Sequence, residues 1–168
     1  MRGLYLLSIW LHVVAASIWI GGTIFLAAVL VPMIRRPEYR AFAPAMLQSA
    51  GERFRKVGWA SLLVLTATGV TNLMFRRFAW TDAANPQGWN SRFGQTLAAK
   101  LVVVATIMVL SLAHDLWVGR RATAAWLAHP AAEETRRLRR QASWIGRVNL
   151  LLALIAAALG IMLVRGRP

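Results

Sequence analysis

The sequence predicts an all-α fold, an integral membrane four-helix up-down bundle forming one domain over residues 1–168. Three observations predict it. The chain is 58% hydrophobic, with a mean hydropathy of +0.51. Its apolar residues gather into four long runs, each near the roughly 20 residues a helix needs to cross a bilayer. Its charges, a formal net +14, sit between those runs. A soluble basic protein would spread its charges through its helices. Nucleic-acid binding, the other reading of a high pI, is set aside because no soluble domain remains once the apolar runs are removed. The chain has no cysteine, which excludes disulfides, thiolate metal sites and CxxC copper-chaperone chemistry. The first apolar run is too long for the core of a signal peptide and leads into no clear cleavage site, so no leader is expected.

The four spans run approximately from Leu4 to Pro32, Val57 to Phe75, Thr96 to Val118 and Ser143 to Val164. The connections 33–56 and 119–142 carry Arg35, Arg36, Arg40, Arg53, Arg55 and Lys56, then Arg120, Arg121, Arg136, Arg137, Arg139 and Arg140, with Arg147 just inside span 4. That is 13 of the 20 basic residues. The positive-inside rule therefore places both connections in the cytoplasm and both termini outside. Trp59, Trp117 and Trp144 fall at the expected cytoplasmic ends of spans, where an interfacial aromatic belt would put them. Phe42, Met46, Ala50 and Phe54 recur every four residues and make an apolar stripe leading into span 2, which Pro44 interrupts or starts. After Pro130, "AAEETRRLRRQASW" places acids before arginines, as the helix dipole prefers, and reads as an extension of span 4. The bilayer is the expected partner of these arginines, through its anionic headgroups.

Helical wheels sort the spans into faces. In span 1, Tyr5, Ser8, His12, Ala15, Ala16, Trp19, Gly22 and Thr23 share the small and polar stripe, which should face the bundle. Ser17 and Gly21 would allow close helix approach. Span 2 carries Ser61, Thr68 and Asn72. Span 3 carries Lys100, Ser111, His114 and Asp115. Span 4 carries Arg147 and Asn149, then a small-residue face of Ala153, Ala156, Ala157 and Gly160. Spans 1 and 3 run parallel, and His12 and His114 differ in depth by roughly 15 Å. The outer layer thus holds His12, Thr68, Asn72 and Lys100, with Met74 and Met162 above. The inner layer holds His114, Asp115, Arg147 and Asn149.

Each layer supports a chemistry. His12 with Met74 and Met162 would suit a soft Cu(I) ion, whereas Lys100 beside His12 suits an anionic group such as a carboxylate or haem propionate. The packing alternative is that His12 hydrogen-bonds Thr68 or Asn72 and the methionines fill space. His114 with Asp115 reads as a proton or metal relay at the cytoplasmic mouth, or as a helix-end clamp. No nucleophile triad, phosphate loop or zinc motif is present.

These residues resemble a known family. "LHVVAASIWIGG" is similar to the first-helix signature of the copper-resistance protein D (CopD) family, a histidine seven residues before a tryptophan and then paired glycines. "ERFRKVGWASLLVLTATGVTNL" looks like its second helix. "FGQTLAAKLVVV", "HDLWVGRR" and "IGRVNLLLALI" look like the third and fourth helices of its short members. The resemblance implies copper resistance or copper movement across the cytoplasmic membrane, with His12, Met74 and Met162 as outer ligands and His114 and Asp115 receiving the ion. Full-length transporters of the family have more helices, so transport by this short chain would need a homo-oligomer. A more distant likeness is to the HemJ-type membrane protoporphyrinogen oxidases. It implies a haem b protein acting on a porphyrin or quinone, with His12 as axial ligand, Lys100 as propionate partner, and Trp19, Thr68 and Asn72 around them. Here the interval from Lys100 to His114 departs from that pattern, and Met33 stands near the position where a histidine would be. A structural accessory subunit of a membrane complex is the third reading.

Overall fold

The computed structural model describes residues 2–75, 86–130 and 132–165. Among the described residues the chain is helical throughout its regular structure, with no strand. Four helices are long and apolar enough to cross a membrane: α1 Arg2–Met33, α2 Ala43–Phe75, α3 Arg92–Ala128 and α4 Glu133–Arg165.

α1 widens into a π-helical turn at Leu26–Leu30, where the Val31 N–H reaches the Leu26 carbonyl five residues back. Pro32 follows at once. Its ring cannot donate to the carbonyl ladder and crowds the carbonyl four residues earlier, and the wider turn relieves that crowding. The chain then turns at Arg36, which is extended as a residue before proline must be. α2 begins at Ala43, with Pro44 in its first turn where a missing N–H costs nothing. Pro44 therefore starts the helix and does not break it, and most of the connection between the first two apolar runs is helical. Along its stripe, Phe42 is 66% exposed, Met46 and Ala50 pack on a cluster of Leu30, Ile34, Ala43 and Trp126, and Phe54 packs on the main core.

α3 is capped by Ser91, whose Oγ accepts from the Gly94 N–H at 3.0 Å. The Gly88 carbonyl occupies the space a Cβ on Gly94 would need, so this close approach requires glycine. A second π turn, His114–Val118, interrupts α3. α4 opens with Glu133 and Glu134 and carries Arg165 in its last turn, matching the helix dipole at both ends. Its start is fastened to the end of α3. Thr135 Oγ1 bonds the carbonyls of Ala125 (3.1 Å) and His129 (2.8 Å), and the Arg139 guanidinium lies 3.5 Å over the Trp126 ring.

α1 packs on α2 and α3 on α4. Contacts along each pair run in opposite chain order. Tyr5 meets Phe75, His12 meets Thr68, and Gly22 meets Phe54. In the second pair Lys100 meets Gly160, Ser111 meets Asn149 and Trp126 meets Arg139. Trp19, Leu62, Ile107 and Ala153, one residue from each helix, form the shared core. Large apolar side chains dominate the outside, with Leu63 70%, Val102 67% and Ile161 62% exposed. Water would not tolerate that surface, whereas lipid tails solvate it while the helices satisfy their own backbone groups.

Of the residues expected to permit close approach of α1, a Cβ on Gly21 would meet nothing within 4 Å, whereas one on Gly22 would collide with the Phe54 ring. The helix wheel could not separate two adjacent glycines about 100° apart without knowing where α2 lies.

Candidate functional site

Two polar layers are built on these helices. The first is centred on His12, half-buried on α1. Its Nδ1 is 2.8 Å from Thr68 Oγ1. The Thr68 hydroxyl has one proton and stands against the carbonyls of Val64 and Leu65, which only accept. That proton therefore goes to a carbonyl, and the hydroxyl oxygen accepts from the His12 Nδ1–H. The hydrogen-bond network thus assigns the neutral ring its tautomer, with the lone pair on Nε2. Thr68 is buried, and Ser8 reaches its carbonyl at 3.5 Å from the turn before His12.

Around this pair lie the other residues expected for the layer. Gly69 of α2 faces the imidazole, and a Cβ there would stand at ordinary contact distance, 3.7 Å, from His12 Cε1. Lys100 of α3 acts on His12 through its charge, and its Nζ lies 3.0 Å from where a Cβ on Gly160 of α4 would be. Gly160 of the small-residue face therefore leaves room for the lysine head, while Ala153 and Ala156 of that face pack into the core. Asn72, one turn beyond Thr68, has a buried Oδ1 without a hydrogen-bond partner among the described residues. Trp19 is 8% exposed and packs two turns along α1 against Gly58. Of the two methionines, Met162 is half-buried and Met74 is 58% exposed, turned outward. Among the described residues no three His, Cys, Asp or Glu side chains gather as a metal-holding group.

The second layer is centred on Asp115, in the π turn of α3. Trp59 of α2 donates its indole N–H to Asp115 Oδ2 at 2.8 Å. His114 Nδ1 is 3.3 Å from Oδ1, and Arg55 Nε is 3.8 Å from the same oxygen. The guanidinium is thus a neighbour by charge only, and its buried Nε has no hydrogen-bond partner among the described residues. Gly119 lets the turn fold close, because a Cβ there would stand 2.9 Å from the His114 carbonyl oxygen and 3.1 Å from its ring. Asn149 of α4 donates to Ser111 at 2.7 Å, one turn before Asp115, and α4 packs on the π turn itself. Arg147 is exposed. The arginine beside Asp115 is Arg55.

Arg55 and Trp59 were not among the expected site residues. Their signal lay in spacing, four residues apart on one face of a helix, but Arg55 reads as a loop charge and Trp59 as a belt aromatic until α2 is known to begin at Ala43. Thr68 and Trp59 are nine residues apart on α2, so the layers are about 14 Å apart. The shared core of Trp19, Leu62, Ile107 and Ala153 lies between them.

A family model described as copper resistance protein D matches residues 48–163. The match takes in nearly all of α2, and α3 and α4, but not α1 with His12. An uncharacterized protein of Aquifex aeolicus (strain VF5) is 31% identical over 157 residues, which cover 92% of each chain. No solved structure matches the chain. The matched segment, more than half of the chain, shows that the chain belongs to the copper resistance protein D family.

Proposed function

We propose that this chain is a copper-handling protein of the bacterial cytoplasmic membrane, an up-down four-helix bundle with both termini outside. Copper is its cargo, met at the His12 layer and received on the cytoplasmic side by His114 and Asp115. The observation that carries the reading is the Thr68 hydrogen bond. It orients the ring and leaves Nε2 as the donor atom, as the outer partners of metal-binding histidines do. Imidazole and the thioethers of Met162 and, from the rim, Met74 are ligand types compatible with a soft monovalent ion. Lys100 weakens the hold on any cation beside His12. That suits an ion in passage better than a resident one.

The same Lys100 favours a second reading. An ammonium next to an imidazole fits a carboxylate-bearing group such as a haem b propionate, with His12 as axial ligand. The two layers are too far apart for His114 to ligate the other face of the same haem, so that reading needs another axial ligand or a second chain.

One preparation separates the readings. The protein is purified in mild detergent, exposed to Cu(I) under reducing conditions, and washed. Copper retained by a colourless protein, and lost in His12→Gln, supports the first reading. A Soret band that shifts or disappears in His12→Gln supports the second. Unchanged copper, spectrum and copper tolerance in cells for His12→Gln would overturn both.

A further inference from the structure

Between α1 and α2, at the polar end of the pair, runs an apolar groove of about 300 Å³. α1 lines it through Ile18, Gly22 and Leu26, and α2 through Ala50, Arg53 and Val57. Phe25 and Phe54 line it as well, the Phe54 ring filling the space that Gly22 leaves, and the π turn of α1 begins at Leu26 beside it. Ile18 and Val57, at the rim, are each 46% exposed, so the groove faces outward into the region that lipid fills.

We propose that this groove is a binding site for one anionic glycerophospholipid, with an acyl chain in the groove and the phosphate on Arg53. Charge complementarity carries the choice of occupant. Arg53 is an exposed cation set into an otherwise apolar lining. Among the described residues it has no carboxylate partner. Glu52 beside it bonds Gln48 on the preceding turn instead, and Asp115 is met by Arg55. Lys56, also exposed, follows three residues on, on a neighbouring part of the same surface. The arginine sits where α2 passes from its basic start into the apolar run that begins at Val57, the level at which a phosphate meets the hydrocarbon.

Shape agrees with charge. From Ile18 to Leu26 is eight residues, or about 12 Å of helix. A helix with side chains is about 10–12 Å across and would not enter.

The test uses the full chain in mild detergent, titrated with dioleoyl phosphatidylglycerol or dioleoyl phosphatidylcholine and read by native mass spectrometry. Expected is tighter retention of phosphatidylglycerol. Arg53→Gln should weaken it about tenfold, or about 1.4 kcal/mol, and weaken phosphatidylcholine, whose phosphate is offset by its own ammonium, distinctly less. Val57→Trp, which fills the groove from its rim, should weaken both lipids. Arg40→Gln, which removes an equal charge outside the groove, should change neither. Equal losses from Arg53→Gln and Arg40→Gln would mean diffuse attraction to a basic surface and would overturn the site. So would equal affinity for the two lipids in the unaltered protein. Should Val57→Trp misfold, the comparison of the two arginine variants decides alone.

Discussion

Replacing Thr68 by valine tests the central geometric claim, that this hydroxyl fixes the His12 ring. Valine keeps the shape and removes the oxygen. The His12 ring loses the oxygen 2.8 Å from its Nδ1 and keeps only the Leu65 carbonyl as an acceptor. For a soluble protein, stranding a buried donor costs about 1–3 kcal/mol. Interhelical hydrogen bonds in membranes average only about 0.6 kcal/mol, with a ceiling near 1.7, because the separated helices also find partners. His12 is half-buried, Thr68 is buried and the distance is short, so the upper part of the membrane range applies, about 1.5 kcal/mol. The loss from the threonine's bonds to its own helix carbonyls is separated by a double-mutant cycle with His12→Gln, whose coupling term should be near that value. The measurement is SDS-induced unfolding of the detergent-solubilised protein, followed by helical circular dichroism. The same variant carries the functional reading. Freed of Thr68, the ring can turn and exchange tautomers, and copper retention should fall about 10- to 100-fold, as when outer partners of metal ligands are removed. A coupling term within about 0.3 kcal/mol of zero, the error within which independent sites add, together with unchanged copper, would refute the reasoning.

Three further outcomes are expected. Gly22→Leu should destabilise by about 1–3 kcal/mol because its side chain must enter the Phe54 ring, whereas Gly21→Ala should change stability little; equal effects in the same unfolding assay would contradict the packing of α1 on α2. Asp115→Leu should cost about 2–3 kcal/mol by stranding the Trp59 indole N–H and the Arg55 charge, and Asp115→Asn, which still offers Trp59 an oxygen, should cost about half as much. For the proposed orientation, a single cysteine at Ser49 should be shielded from an impermeant thiol reagent in intact cells and one at Asn90 should react; the opposite pattern would place the basic connections outside.

How far the sequence could be read follows from what each pattern encodes. A run of 20 apolar residues states its own requirement for lipid, so the four spans are legible without knowing any contact. The wheel position of His12 and its depth together point to Thr68, because both belong to long regular helices where 1.5 Å per residue accumulates without error. Helix ends are less legible. The stripe of Phe42, Met46, Ala50 and Phe54 already points to a helix leading into span 2, and Met46 and Ala50 of that stripe pack on Leu30, Ile34 and Trp126. Counting the charges of this segment with the connection is what hides Arg55 and Trp59. It also favours Arg147, which is closer to the apolar run but points outward. Three of the basic residues counted for orientation, Arg76, Arg77 and Arg167, lie outside the described residues.

The vertical order of the two layers constrains any route for an ion. On α2 and α3 the sequence passes from a polar residue through an apolar core residue to a second polar residue, Thr68 through Leu62 to Trp59 and Lys100 through Ile107 to Asp115, while α1 runs from His12 to the core Trp19 and α4 from the core Ala153 to Asn149. The four core residues touch one another at the middle of the chain's own bundle, and three of them are under 6% exposed. Moving a charge through such a plug strips its hydration and returns no ligand. A single copy therefore offers two polar layers about 14 Å apart, separated by a seal. If copper is the cargo proposed above, its crossing needs a path that bypasses this seal, such as a face shared by two copies. Copper held at the His12 layer and handed to another protein needs no crossing, so on that proposal handling at one layer is open to the monomer.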